Sequence, residues 1–308
     1  MSIRRDERGQ SVVYVVVFLT VLLGMAAAVL DVGSWYREHR SAQAAADAAA
    51  LGGAQALPDN PGQAQGQAID YADKNGGGLT PPNVTFSTTN YANDTINVHV
   101  NRTAPGFFAK IFGIDSVAVS ARASARAFIP GETKYLAPIV VRNTHPMLND
   151  CGGKPCFGPS YPTTLPLDKT GAPGAFALIS LNDDSTGSVG ASTLGGWIDN
   201  GYPDYLPLRQ YYSGPGAKWN NSSIQDALNR RIGTELLFPV FDDLQSGGSN
   251  AEYRVIAWVG FHLTDKTVGG GDTGSITGYF TRVIWQGLPA SNPSSVLDLG
   301  VRSIVLTD

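Results

Sequence analysis

From Val12 to Leu30 the chain runs for 19 residues without a charged side chain, and only Tyr14 and Thr20 carry polar groups. A helix rises about 1.5 Å per residue and a bilayer core is about 30 Å thick, so a run of this length just spans it. A cleaved secretory signal has a shorter apolar region, about 7–15 residues, followed by a small-residue cleavage site. Here Ala26-Ala27-Ala28 lies inside the run, and the sequence continues through Asp31 with no turn signal. A retained single span is the reading that fits. Arg4, Arg5 and Arg8 precede it, whereas Arg37 and Arg40 beyond it are offset by Asp31 and Glu38. By the positive-inside rule the basic N-terminus stays cytoplasmic and the bulk of the chain lies outside.

The helical pattern does not stop at the membrane. Trp35, His39, Ala42, Ala46, Ala49, Gly53 and Ala56 recur at spacings of four and three, and no proline occurs before Pro58. Alanine is the best helix former, so one helix from about Val12 to Leu57 is expected. Gly24 and Ala28 form a small-xxx-small pair in the span, and Ala42, Ala46, Ala49 and Gly53 continue a stripe of small residues above it. Such a stripe lets a second helix approach closely. It serves equally well to pack the helix on the chain's own domain, and the sequence leaves both open.

Beyond the helix, 36 glycines and 19 prolines against only 16% charged residues point to turn-rich β structure, an α+β fold overall. The net charge is −4, and no clustered basic surface of the kind a nucleic acid requires is visible. Residues 1–57 form the stub, span and Ala-rich extension. Residues 58–130 read as a small domain of a helix packed on an antiparallel sheet: a helix over Gln63–Asn75, strands at Asn83–Thr89, Thr95–Asn101 and Ser116–Phe128, and a helical spacing at Phe107, Phe108, Ile111 and Phe112. Residues 131–308 read as a β-rich domain. Its strands are expected at Tyr135–Val141, Ala175–Leu181, Leu236–Phe241, Tyr253–Leu263, Ile276–Trp285 and Val296–Leu306, with a helix at Ser223–Arg231. Thr264–Ser275, with three glycines, reads as a hairpin loop.

Cys151 and Cys156 enclose Gly-Gly-Lys-Pro, which closes a tight loop, and a disulfide is expected outside the cytoplasm. A zinc site would need two more ligands, and only His145 is near. Asp272-Thr273-Gly274-Ser275 matches the aspartic-protease tetrapeptide, but that chemistry needs a second such carboxylate and none follows the pattern. His39, His99, His145 and His262 form no HExxH arrangement, and neither GxSxG nor a P-loop occurs. No catalytic residue, metal or cofactor is expected. The remaining candidates are aromatic. Trp197, Tyr202, Tyr205, Tyr211 and Trp219 cluster in a loop-rich stretch beside Asp199 and Asp204. Rings beside carboxylates suit a sugar- or peptide-binding surface, and they also suit plugging an irregular segment onto a sheet.

Arg8-Gly9-Gln10, the apolar span, Asp31-Val32-Gly33 and the run Ala45-Ala46-Asp47-Ala48-Ala49-Ala50-Leu51-Gly52-Gly53-Ala54 together resemble the TadE/TadG-like family of tight-adherence (Flp) pilus assembly. Phe107–Phe112 followed by Val117–Ala127 is similar to the family's downstream segment. The resemblance covers residues 1 to about 130. It implies a bitopic, pilin-like envelope protein whose partners are the bilayer and other pilin-like or pilus-assembly proteins, self-association included. Flp-type prepilins are cut after a glycine and carry glutamate at the fifth mature position. A cut after Gly9 would put Tyr14 there, so a retained anchor is implied. Longer members carry a von Willebrand A domain; Asp183-Asp184-Ser185-Thr186-Gly187 lacks its full metal-site pattern, and that site is not carried over.

Two functional classes follow. One is a single-pass structural protein of a pilus or envelope assembly. The other is a membrane-tethered adhesin that recognises polysaccharide or protein through aromatic-rich loops.

Overall fold

The computed structural model describes residues 10–168, 172, 174–182, 189–214, 219–245, 251–270, 272–293 and 296–307. They fall into two compact units divided after Ala127, with residues 305–307 returning to the first. Arg4, Arg5, Arg8 and Asp183–Gly187 lie outside the described residues.

The first unit is built on helix α1, Gln10–Ala54, 45 residues long. Its two halves differ in environment. Along residues 11–30 every side chain is exposed except the half-buried Ala27, and large apolar groups such as Phe18 and Leu23 contact nothing that hides them. From Ala42 upward, Ala42, Ala45, Ala46, Ala49, Ala50 and Ala54 are buried. They pack on helix α2, Pro61–Lys74, which offers Ala64, Ala68 and Ala72 in return. Helix α2 begins two residues before the expected Gln63 because Asn60 caps it: the Asn60 Oδ1 accepts from the Gln63 N–H at 3.0 Å, and Pro61 occupies the first turn.

Three antiparallel strands follow the helices: β1 (Val84–Ser87), β2 (Thr95–Pro105) and β3 (Ser116–Phe128). Strand period sorts their faces. Ile96, Val98 and Val100 on β2 lie opposite Ala125, Ala123 and Ala121 on β3, and all six are buried. The small β3 residues keep this face shallow, so the helix sits close. A Cβ on Gly53 would lie 2.5 Å from Ile96 Cδ1 and 2.9 Å from Ala64 O, so only glycine fits there. Phe107, Phe108, Ile111 and Phe112 do not form a packed helix face. A short 3-10 turn, Ala109–Phe112, leaves all four rings and side chains exposed.

Twelve named strands follow in chain order: β4 (Pro130–Thr133), β5 (Ile139–Arg142), β6 (Thr163–Pro166), β7 (Phe176–Leu178), β8 (Leu206–Pro207), β9 (Gln210–Tyr212), β10 (Glu235–Gln245), β11 (Glu252–Val268), β12 (Gly274–Thr281), β13 (Val283–Ile284), β14 (Gly287–Pro289) and β15 (Val301–Leu306); all lie in the second unit except the end of β15, whose Val305 and Leu306 belong to the first. Six form the main sheet in the order β6-β12-β11-β10-β5-β7, with β9 pairing the start of β11. A smaller sheet runs β14-β4-β8, and β13 lies parallel to β15. The expected strand Ile276–Trp285 is two strands, broken at Arg282. The expected loop from Thr264 is mostly strand: β11 continues to Val268 past a bulge at Leu263/Asp265.

Helices α3 (Ala191–Asn200) and α4 (Ser222–Arg231) pack on each other. A Cβ on Gly195 would stand 2.5 Å from Ser223 O, which fixes how near they come. The core is dense in rings: Trp219, Trp258, Tyr211, Tyr253, Phe176, Phe238, Phe261 and Phe280 are all fully buried.

Candidate functional site

Asp31 is the first charged residue after the apolar run, yet its side chain is only 3% exposed. A buried carboxylate is costly unless hydrogen-bonded. This one is satisfied by backbone from the β2–β3 connection. Oδ1 accepts from the Phe107 N–H at 2.8 Å, and Oδ2 accepts from the Phe108 and Ala109 N–H groups at 3.0 and 2.5 Å. Those donors open the 3-10 turn, where backbone N–H groups have no partner within the turn. One helical turn higher, Trp35 Nε1–H donates to Pro105 O at 3.1 Å.

The clamped connection is a narrow-necked tip. The Gly106 N–H donates to Asp115 O at 2.9 Å, and a Cβ on Gly106 would stand 2.4 Å from Ile114 O. Gly113, at φ +79°, adopts the left-handed conformation that closes the turn. The tip then projects Phe107, Ile111 and Phe112 with 60%, 80% and 84% of their surface exposed. Between tip and helix runs an apolar groove of about 780 Å³, lined on one side by Leu23, Ala27 and Leu30 and on the other by Phe108, Ile111 and Phe112.

The residues singled out for helix packing separate into two sets. Ala42, Ala46, Ala49 and Gly53 are buried against the chain's own α2 and β2. Gly24 and Ala28 are exposed, and nothing lies within 4 Å of a Cβ built on Gly24. The aromatic candidates do not form an open surface. Trp197, Tyr211 and Trp219 are buried; Tyr202 packs edge-on to Trp197, and Tyr205 lies under Lys134. The buried rings join Leu194, Ile198 and Leu206 from the same stretch in the hydrophobic core of the second unit.

Cys151 and Cys156 are disulfide-bonded, with Cα atoms 5.3 Å apart. Asp272 is a latch for a ring: its Oδ1 accepts from the Trp219 backbone N–H at 2.6 Å, and Trp219 Nε1–H donates to Thr267 O. Among the described residues no group of three or more His, Cys, Asp or Glu side chains is placed to hold a metal ion. His262 stacks on Tyr279 and meets Glu235 Oε1 at 3.0 Å, His39 and His99 are not buried, and His145 is enclosed beside Phe280.

The sequence marked Asp31 only as an offsetting charge and part of a family motif, and gave the tip a helical spacing, of which the structure keeps one 3-10 turn. An eight-residue stretch, Phe-Phe-Ala-Lys-Ile-Phe-Gly-Ile, between two alternating strands was the available signal for an exposed apolar tip.

Residues 9–56 match the family model described as Putative Flp pilus-assembly TadE/G-like. The N-terminal segment is thus similar to the TadE/G-like family. The matched residues take in the exposed apolar half of α1, Asp31 and the alanine stripe. No curated protein and no solved structure matches the chain. By length and composition α1 can cross a membrane. Together the TadE/G-like match and this helix fit a membrane-anchored, pilus-associated protein.

Proposed function

We propose that the protein is a single-pass, pilin-like structural component of a Tad/Flp-type pilus or envelope assembly. Its basic N-terminal stub is cytoplasmic and both folded units lie outside the cytoplasm. The observation that carries this reading is the division of α1. Its upper half is packed into a folded unit, while residues 11–30 present a continuous apolar surface that stays exposed except at the half-buried Ala27, in the groove beside the tip. Lipid covers most of that surface. The Gly24–Ala28 patch is the one place where it narrows enough for the backbone of another helix to approach closely.

Leucine at Ala46 or Ala49 would not test this, because both are buried and the change would disrupt the first unit itself. Gly24→Leu and Ala28→Leu disturb nothing in the fold. The reading expects them to abolish co-purification and cross-linking with pilus components while leaving membrane insertion intact. Undiminished association of the double variant would remove the helix-packing role.

A further inference from the structure

We propose that the tip at residues 107–114 is a second membrane contact, a foot that inserts into the interface of the leaflet from which α1 emerges. The inference rests on α1 spanning the bilayer and adds to that reading where a folded part of the protein meets lipid.

Depth is set by the clamp. Three backbone hydrogen bonds hold residues 107–109 to Asp31, the residue directly after the last apolar position of the span. Whatever depth Leu30 occupies, the tip lies beside it. The apolar face of the tip is also continuous with that of the span, since Ile111 and Phe112 share one groove with Leu23, Ala27 and Leu30. Continuity with a surface already in hydrocarbon favours lipid as the occupant. Exposure of Phe107, Ile111, Phe112 and Ile114 together would be costly in water and is favourable at an interface.

The polar groups fit the same depth. Lys110, the one charged side chain in the tip, has a stem long enough to carry its ammonium to the headgroups. Trp35 and Tyr36 stand on α1 one turn above Asp31, at the level of an aromatic belt. The tip backbone donates its first N–H groups to Asp31 and closes its own turn through Ile114 N–H to Ala109 O at 3.1 Å. The irregular backbone therefore brings few unsatisfied groups into the interface.

The test uses the full chain in phosphatidylethanolamine/phosphatidylglycerol liposomes, with an environment-sensitive dye on single cysteines. The native cysteines are bonded to each other and do not react. Ile111→Cys reports the tip, Leu23→Cys the span and Gln55→Cys the far end of α1; all three side chains are exposed, so labelling leaves the fold intact. The proposal expects blue-shifted emission at 111, lost when lipids carry a nitroxide near the glycerol backbone and retained when it sits at the chain end. At 55 only aqueous iodide should quench. Lipid quenching at 23 but not at 111 overturns the foot and leaves the anchor standing. Quenching at neither position overturns both. A probe at 111 shielded from lipid nitroxide and iodide alike, as a protein in the groove would make it, also overturns the lipid assignment.

Discussion

Asp31 and Ala109 are joined by a hydrogen bond of 2.5 Å from the Ala109 N–H to the Asp31 carboxylate, across 78 residues of sequence. This bond and its two neighbours tie the tip of the β2–β3 hairpin to the point where the apolar run ends. Replacing Asp31 with alanine leaves three N–H groups without their acceptor. The loss is expected to destabilise the first unit by about 1–3 kcal/mol. Asp31→Asn keeps one acceptor oxygen and should lose part of that. Unfolding of the full chain in detergent, followed through Trp35, measures the difference; equal stability of all three proteins would show that the clamp contributes nothing.

Gly52 and Gly53 are adjacent but not equivalent. A Cβ on Gly53 meets Ile96 Cδ1 and the backbone oxygen of Ala64, neither of which can move freely. Gly53→Ala should therefore cost about 1–3 kcal/mol through overpacking. A Cβ on Gly52 meets only the ring of Tyr71, itself 37% exposed and able to swing aside. Gly52→Ala should be close to neutral, because alanine gains up to about 1 kcal/mol over glycine in a helix. Thermal unfolding of the two variants distinguishes them, and Ile96→Val should relieve Gly53→Ala only in part.

His145 gives the second unit a pH dependence. Burial pushes its imidazole from 6.5 down to about 4, against the opposing pull of the Asp150 carboxylate. Its Nδ1 accepts from the Met147 N–H at 3.0 Å, which requires the neutral ring. As pH falls below 6.5 the unfolded chain binds a proton at this site and the folded chain does not. Stability therefore declines with falling pH between about 6.5 and 4, by about 3 kcal/mol in all. Urea midpoints across that window check it. His145→Asn, which retains an acceptor for Met147, should flatten the slope.

The disulfide closes a short loop, with a sequence separation of 5. Loop-closure entropy for so small a ring is about 2 kcal/mol, the loss expected on reduction. The second unit should show it, since Trp197, Trp219, Trp258 and Trp285 all report from there; the unfolding followed through Trp35 should be unchanged.

What could be read from the sequence follows the range of the forces involved. Strand β3 was expected and found at Ser116–Phe128, because strict alternation of small apolar with polar residues is a local signal. Helix α3 was missed. It contains Gly195-Gly196 and has no side-chain cap at its start, so its local preferences argue against it. It forms because Gly195 lets it reach α4. The disulfide and α1 were legible for the same reason as β3, being set by neighbours in sequence. The clamp was not, since nothing near Asp31 announces donors 76 to 78 residues away. The aromatic cluster left two readings open: ring spacing alone does not distinguish a surface from an interior, and the burial of Trp197, Tyr211 and Trp219 places those three rings inside.

The Thr307 N–H donates to Ser124 O at 2.8 Å, so residues 305–307 belong with the first unit although the whole second unit intervenes in sequence. During synthesis β3 therefore emerges early and waits, one edge unpaired, until a late segment of the chain arrives. An open strand edge recruits other strands, and closing so long a loop is slow. The first unit is thus begun first and finished last, and its period of greatest exposure to wrong partners lasts until residues 305–307 have been made.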